Sequence, residues 1–459
     1  MSDTIVAHAT PIGRSGIGVV RLSGPDAVSI AGLLAGRRRH EPEPRTATLA
    51  PIVDPETGEA IDEAVITYFK GPASFTGEDV VEIACHGSPV VLRQVIDVCL
   101  RQGARMAGPG EFSLRALANG KIDLSEAEAI RDLIDAQTAT AARQAVRQMR
   151  GEISHRLAPV KDELLDVIVV LESALEFVED DLPELQAASI AERLDRMAKS
   201  LDSLASTFKA GHLIREGLRV ALVGRPNVGK SSLFNALLGS DRAIVTEVAG
   251  TTRDQLHERF TIDDIPISLI DTAGLRYTTD LVESIGVERS RKAMADADLV
   301  MVMLDASEPL TAEDAEIIES VRELRHLILV NKIDKIDRDD GYELPGRFRD
   351  LLRLSVTPLA ISAKTGEGVE ALKMAIIGPF APGEMDVSGF LLTDARHFDL
   401  LERAQQEVRG SIDLIREGTS EEIVLVGLHN SLRYLSDITG ETTTEDMLTR
   451  IFSTFCIGK

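Results

Sequence analysis

Cysteine is scarce in this chain. Cys85, Cys99 and Cys456 are unevenly placed, with no C-x-x-C pair, so neither a disulfide framework nor a zinc site is expected. Positive charge is short as well. Fifty Lys+Arg face 74 Asp+Glu, a formal net charge of −24, which argues against a generic nucleic-acid coat. A local basic patch, or an RNA reached through a second protein, stays open. Long apolar runs are missing: the most apolar helical stretch, 164–171, carries Asp166 and is far too short for a bilayer. The opening Met1-Ser2-Asp3-Thr4-Ile5 has neither the basic segment nor the apolar core of a secretory leader. A cytoplasmic protein with no membrane association is the expectation. With 44% hydrophobic residues in 459, the chain is too long for one core, and about three domains are expected.

Residues 1–118 read as an α+β domain. Strand patterns cover 17–22, 63–69 and 80–84, and a helical pattern covers 90–100; 40–44 and 51–58 read as loops. Residues 119–216 turn helical. One alanine-rich run goes from Ser125 past Met149, and a second spans 159–177. A third carries Ile190, Leu194, Met197, Leu201, Leu204 and Phe208 at alternating spacings of four and three, the seam of a bundle helix. Residues 217–380 alternate strand and helix in the doubly wound manner, with strands at 219–223, 299–304, 326–330 and 359–361. A hairpin, 260–262 with 267–270, would give the sheet one antiparallel edge. Beyond Pro382-Gly383, residues 381–459 are helical again, at 394–417, 421–438 and 444–452. Neither helical flank alone makes a bundle, so the α/β domain reads as an insertion into one all-α domain.

The most specific stretch is Gly224-Arg225-Pro226-Asn227-Val228-Gly229-Lys230-Ser231, which fits the phosphate-loop pattern G-x-x-x-x-G-K-[ST] between a strand and a helix that begins at Ser232. Its glycines let backbone N–H groups converge on one anion at a helix N-terminus. Lys230 would reach the β/γ-phosphates, and the Ser231 hydroxyl would ligate Mg²⁺. Four elements follow in GTPase order: Gly250-Thr251-Thr252-Arg253-Asp254, Asp271-Thr272-Ala273-Gly274, Asn331-Lys332-Ile333-Asp334 and Ser362-Ala363-Lys364. A threonine of the first would close on Mg²⁺ and the γ-phosphate. Asp271 would hold the metal through water, and the Gly274 N–H would sense the γ-phosphate. Asp334 would accept from guanine N1–H and the 2-amino group, and the serine-alanine-lysine segment would offer a backbone N–H to guanine O6. Adenine would leave that carboxylate unpaired, which is worth roughly 10⁴–10⁵ in discrimination. Together these elements make a GTP site.

The catalytic group is less direct. Ras-like enzymes place a glutamine just after the Asp-x-x-Gly element, and this chain has Leu275 there. Arg253 and Arg276 are nearby as arginine-finger candidates. The alternative is a monovalent cation with Asn227 as a side-chain ligand, and a carboxylate, Asp280 or Glu283, holding the attacking water through a bridge.

With these residues placed, the chain resembles the MnmE (TrmE) family of bacterial tRNA-modification GTPases over essentially its whole length. The resemblance rests on Asp3-Thr4-Ile5-Val6-Ala7, Ser74-Phe75-Thr76-Gly77-Glu78-Asp79, Pro109-Gly110-Glu111-Phe112-Ser113, Gly250-Thr251-Thr252-Arg253-Asp254 and the terminal Phe455-Cys456-Ile457-Gly458-Lys459. It implies an N-terminal α+β domain that binds a tetrahydrofolate derivative (5-formyl or 5,10-methylene) and forms a homodimer. It further implies an all-α domain from both flanks, and an inserted Ras-like P-loop GTPase domain with a mostly parallel, doubly wound sheet. The implied partners are tRNA and MnmG, a flavoprotein that would give a heterotetramer. Together they would install an aminomethyl-type group on C5 of the wobble uridine (U34) of certain tRNAs. Matched position by position, Asn227, Thr246, Val248 and Thr251 would surround K⁺, with Ser231 and Thr252 on Mg²⁺. Glu283 would position the attacking water through a second water. Arg21, Glu82, Lys121 and Lys459 would hold the folate, and Cys456 would be the functional tail cysteine. The nucleotide contacts would come from Asn227, Val228, Gly229, Lys230, Ser231, Ser232, Thr246, Thr251, Thr252, Asp271, Thr272, Ala273, Gly274, Asn331, Lys332, Asp334, Ser362, Ala363 and Lys364. The competing readings are a regulatory or ribosome-assembly GTPase with no modification role, and a folate-dependent one-carbon carrier in which GTP is only structural.

Overall fold

The computed structural model describes residues 3–36, 42–176, 184–240, 257–271, 296–336, 357–380, 389–442, 445–456 and 458. The chain forms two compact units, Met1–Ile134 with Val146–Ser200 and Leu400–Lys459, and Asp135–Ala145 with Leu201–Asp399.

The first unit holds strands β1 (Ile5–His8), β2 (Ser15–Ser23), β3 (Ala47–Val53), β4 (Ala60–Phe69), β5 (Val80–Gly87) and β6 (Arg105–Met106), in the order β3-β4-β5-β2-β1-β6. Neighbours are antiparallel except β1 and β6, which run parallel. Helices α1 (Ala27–Leu34) and α2 (Pro89–Arg101) cover one face, burying Val6, Leu22, Tyr68, Ile83, Leu92 and Val95. The other face keeps the half-exposed Arg21 and Glu82. Proline at the first position of α2 costs nothing, because that N–H has no intrahelical partner. Residues 51–53, expected as loop, belong to β3. Pro51 is tolerated because β3 is an edge strand that needs donors toward β4 only, while Ala50 and Ile52 point into the core.

The helical expectations hold in outline and shift in their breaks. The run from Ser125 divides into α4 (Leu124–Asp135) and α5 (Ala139–Met149), because the Thr138 hydroxyl accepts from Ala141 N at 3.1 Å and starts a new helix. Pro159 lies inside α6 (Glu152–Glu176) rather than opening it, since the break falls at Gly151, φ +75°. The 3.5-residue seam lies on α7 (Glu184–Ser206) and buries Ile190, Leu194, Met197 and Leu201. Phe208 instead opens α8 (Phe208–Glu216). An Arg193–Glu163 ion pair of 2.6 Å ties α7 to α6.

In the second unit, β7 (Leu218–Val223), β8 (His257–Ile262), β9 (Ile265–Asp271), β10 (Leu299–Asp305), β11 (His326–Asn331) and β12 (Leu359–Ala360) take the order β12-β11-β10-β7-β9-β8. Every pairing is parallel except β8 with β9, as the hairpin reading expected. Asp263 and Asp264 make the hairpin turn at φ +47° and +66°, the left-handed pair that matches strand twist. All seven residues of β10 are buried, as a parallel strand covered on both faces requires. On one face α9 (Lys230–Ser240) and α11 (Val369–Ile377) contribute Leu233, Leu237, Leu372 and Ile376. On the other, Ile318 of α10 (Ala312–Ser320) packs with Val300, Val302 and Leu304. The chain continues into α12 (Ala395–Arg416), α13 (Glu421–Thr439), which packs on α6, and α14 (Glu445–Phe452).

Candidate functional sites

The phosphate loop leaves β7 at its carboxyl end and enters α9, the position where open parallel sheets bind ligands. Gly224 (φ +151°), Asn227 (φ +65°) and Gly229 (φ +106°) bend it. A side chain on Gly229 would strike the Asn331 amide. Lys230 Nζ donates to Gly224 O at 2.5 Å and Arg225 O at 2.9 Å, so its ammonium lies across the loop. Ser231 and Ser232 are exposed on the first turn of α9, and Asn227 is exposed at the loop's crest, while Val228 is buried. Arg225 occupies a variable position of the motif and was not singled out by its sequence. It is bonded to Asp314 at 2.8 Å and Glu308 at 3.3 Å, with Asp314 buried in the capping box of α10. That pair anchors the loop's first half.

The 331–334 segment, expected to select the base, is joined to this loop. Asn331 is buried, donates from Nδ2 to Val228 O at 2.9 Å, and accepts from Ala363 N at Oδ1, also at 2.9 Å. Lys332, left-handed at φ +64°, donates to Asn227 O at 2.6 Å and to Asp305 Oδ2 at 2.6 Å. Burial would raise the Asp305 carboxyl, but bonds from Lys332 and Ser307 outweigh it and hold the group below the usual range. Exposed Asp334 accepts from the Ser362 hydroxyl at 2.7 Å, which keeps its carboxyl low. Ser362 itself is fully buried. Because Ala363 N–H is engaged by Asn331, the backbone donor of this segment without a partner among the described residues is that of Lys364. The phosphate loop and the segments expected to read the base are therefore hydrogen-bonded to one another. Asp271 ends β9 in register with Leu222 of β7, beside the loop. Thr246, Val248, Thr251, Thr252, Arg253, Thr272, Ala273, Gly274, Leu275, Arg276, Asp280 and Glu283 lie outside the described residues, and so do Lys459 and the Asp271 side chain.

In the first unit Arg21 of β2 stands opposite Glu82 of β5. Its Nε and Nη2 lie 2.9 and 2.7 Å from Glu82 Oε1, and its Nη1 donates to Gly458 O at 3.3 Å. Both residues and Lys121 line a cavity of about 430 Å³, together with Arg45, Phe69, Ala73, Ser74, Phe75 and Val80. Three of the four matched folate positions are thus brought together. Arg45, Phe69 and Phe75 were not expected there, since local pattern cannot reveal a wall built from separate strands. The remaining Glu82 oxygen, Oε2, has no hydrogen-bond partner among the described residues, which suits a ligand that presents N–H donors. The tail comes to this site: Gly110 N donates to Cys456 O at 3.3 Å, and Arg131 donates to Thr454 Oγ1 at 3.0 Å and lies over the Phe455 ring. Cys456 is exposed, whereas Cys85 and Cys99 are buried thiols pushed up to about 12, chiefly by burial. His86 faces Asp62 at 2.7 Å on the exposed side, away from buried Cys85, as adjacent strand residues must.

The acidic residues of three N-terminal motifs have a different task. Asp3, Glu78 and Glu111 converge on Arg115, whose side chain is fully buried, at 2.9, 3.1 and 3.0 Å. Glu111 also binds Arg105 at 2.6 Å. These carboxylates fasten β1, the 74–79 loop and α3 (Glu111–Ala118) together.

Two family profiles match. One described as the MnmE helical domain matches residues 124–456, and one described as the GTP-binding protein TrmE N-terminus matches residues 4–121. The tRNA modification GTPase MnmE of Koribacter versatilis is 45% identical over 464 residues, covering 100% of both chains. The proteins of that name from Aquifex aeolicus and Neisseria meningitidis serogroup B are each 42% identical, again over 100% of both chains.

Proposed function

The chain belongs to the MnmE family of tRNA modification GTPases, and on that premise we propose that it hydrolyses GTP to GDP and phosphate in the service of tRNA modification. The observation that carries the reading is Asn331, which holds Val228 O with one end of its amide and Ala363 N with the other. The phosphate cradle and the guanine-selecting segment are thereby parts of one preorganised site. In this reading Lys230 swings from the loop carbonyls onto the β/γ-phosphates. Ser231 and Thr252 hold Mg²⁺, with Asp271 acting through water. Asp334 accepts from guanine, and a backbone N–H of the 362–364 segment donates to O6. The exposed Ser231 hydroxyl at the start of α9 and the register of Asp271 beside it suit a hard cation that prefers oxygen ligands.

The finer features follow the family resemblance. K⁺ would be held by Asn227, Thr246, Val248 and Thr251 and would supply the positive charge an arginine finger otherwise brings; the exposed Asn227 amide suits that role. Glu283 would orient the attacking water through a second one. Arg21, Glu82, Lys121 and Lys459 would bind a tetrahydrofolate derivative, which supplies a one-carbon unit when bound, and Cys456 would act beside it. A homodimer through the N-terminal domain, pairing with the flavoprotein MnmG, and action at C5 of the wobble uridine complete the proposal.

The test is mass spectrometry of tRNA wobble uridines from cells with and without this chain, paired with GTP turnover in K⁺ and in Na⁺. Loss of the C5 modification and collapse of turnover in Na⁺ are expected. Fully modified tRNA without the chain would refute the modification role, and turnover indifferent to the ion would refute the cation's part.

A further inference from the structure

The cavity beside Arg21 and Glu82 is more cationic than its chain. Three cations line it, Arg21, Arg45 and Lys121, against one carboxylate, Glu82, a net of +2 in a protein of net charge −24. One oxygen of Glu82, Oε1, is taken by Arg21. Neither Arg45 nor Lys121 has a carboxylate within ion-pair distance among the described residues, although acidic side chains are abundant in the chain.

Arg45 is also held in place. Its backbone sits at φ +62°, a conformation few non-glycine residues adopt, and its N–H donates to Tyr68 O at 2.7 Å. Its guanidinium donates to Ala73 O at 2.7 Å and lies 5.9 Å from the centre of the Phe69 ring. One N–H of the fork is spent on Ala73, leaving a charged planar donor over an aromatic wall.

We infer that Arg45 is the anion-recognition residue of this pocket and selects ligands that carry a carboxylate tail. The inference rests on the folate reading and extends it to a residue that motif and resemblance did not mark. The sheet order supplies the spacing. Arg21 is on β2, Glu82 on β5, Phe69 on β4, and Arg45 lies two residues before the start of β3. Two interstrand steps, from β5 to β3, separate Glu82 from Arg45 by on the order of 10 Å. A bicyclic donor-bearing head at Glu82, an aryl spacer against Phe69 and Phe75, and an acidic end at Arg45 fill that distance. Arg45 is exposed, so its attraction for such an end acts through solvent and is screened by salt.

The experiment is calorimetric titration of the full chain with two probes: tetrahydrofolate, which has the glutamyl tail, and tetrahydropterin, which lacks it. Wild type is expected to prefer the tailed probe. Arg45→Ala should weaken tetrahydrofolate by about 10- to 30-fold, the range of one charge-assisted bond, and leave tetrahydropterin unchanged. Arg45→Lys should recover part of the loss, and added salt should weaken wild type more than Arg45→Ala. Equal losses for both probes would make Arg45 a packing residue, and no loss for either would remove it from the pocket; each overturns the inference. Wild type that binds neither probe would overturn the folate reading itself, a separate failure.

Discussion

Lys332 Nζ lies 2.6 Å from Asp305 Oδ2, and that carboxylate is almost fully buried at the end of β10. The same ammonium reaches Asn227 O, so a buried acid outside the recognised motifs steadies both the base segment and the crest of the phosphate loop. Asp305→Asn keeps the shape and can still accept from Ser307, but removes the charge that orients Lys332. Guanine nucleotide affinity should fall about tenfold or more, read by titration with a fluorescent GDP analogue. In a Lys332→Met background the same substitution should add almost nothing. Additive losses would mean Asp305 acts on the fold at large.

Gly229→Ala tests the loop directly. At φ +106° an added methyl is strained, and it would collide with the Asn331 amide that bridges the two halves of the site. Nucleotide binding should drop by about two orders of magnitude, while circular dichroism of the chain stays near wild type. Normal binding would remove the loop from the site.

Asp334→Asn should move preference from guanosine toward xanthosine nucleotides, because an amide can donate to a 2-oxo group where the carboxylate could only accept. The Ser362 hydroxyl that holds Asp334 is compatible with either side chain, since it is a rotatable donor and acceptor. Competition between GTP and XTP for one site measures it. Retained GTP preference would free Asp334 from base selection.

Arg115→Ala would leave three carboxylates, Asp3, Glu78 and Glu111, facing each other without their buried cation. Breaking a buried ion cluster in this way costs about 3–5 kcal/mol. Hydrogen exchange in the full chain should show that loss in the amides of β1 and α3. Exchange unchanged there would mean the cluster does not hold these elements.

Arg215, at the end of α8, and Asp394, just before α12, form a 2.6 Å pair. Burial pushes the Asp394 carboxyl up, yet the charges of His397 and Arg215 and a bond from Arg396 N hold it well below the usual range. Since the folded value is depressed, its stabilisation is full above the unfolded carboxylate range near about 4 and is lost as pH falls toward the folded value. Asp394→Asn should therefore lower the unfolding midpoint at pH 7, and the gap from wild type should close below about pH 4. A gap that persists in acid would assign the loss to packing.

Nucleotide chemistry was legible because it is local. A phosphate loop needs glycines and a lysine at set spacing, and Asn331, Lys332 and Asp334, proposed to read the base, lie within four residues of one another. The alternation of buried strands with helices announced the parallel sheet for the same reason, down to the antiparallel hairpin at its edge. The N-terminal half was less readable. β1, α1 and α3 are short, and Pro51 masks a strand that only its edge position permits.

The chain's own order of residues thus determined where a phosphate loop, a candidate base-reading segment and a bundle-type helix seam fall, because those patterns depend on spacings of a few residues. Tertiary structure alone decided that Arg225 belongs to buried Asp314, that Asp3, Glu78 and Glu111 serve Arg115, and that Arg45 shares a cavity with Arg21, Glu82 and Lys121. The reason is physical. Ion pairs and pocket walls form between strands that pair across dozens of residues, and whether a charge is spent or available depends on which neighbour the sheet delivers.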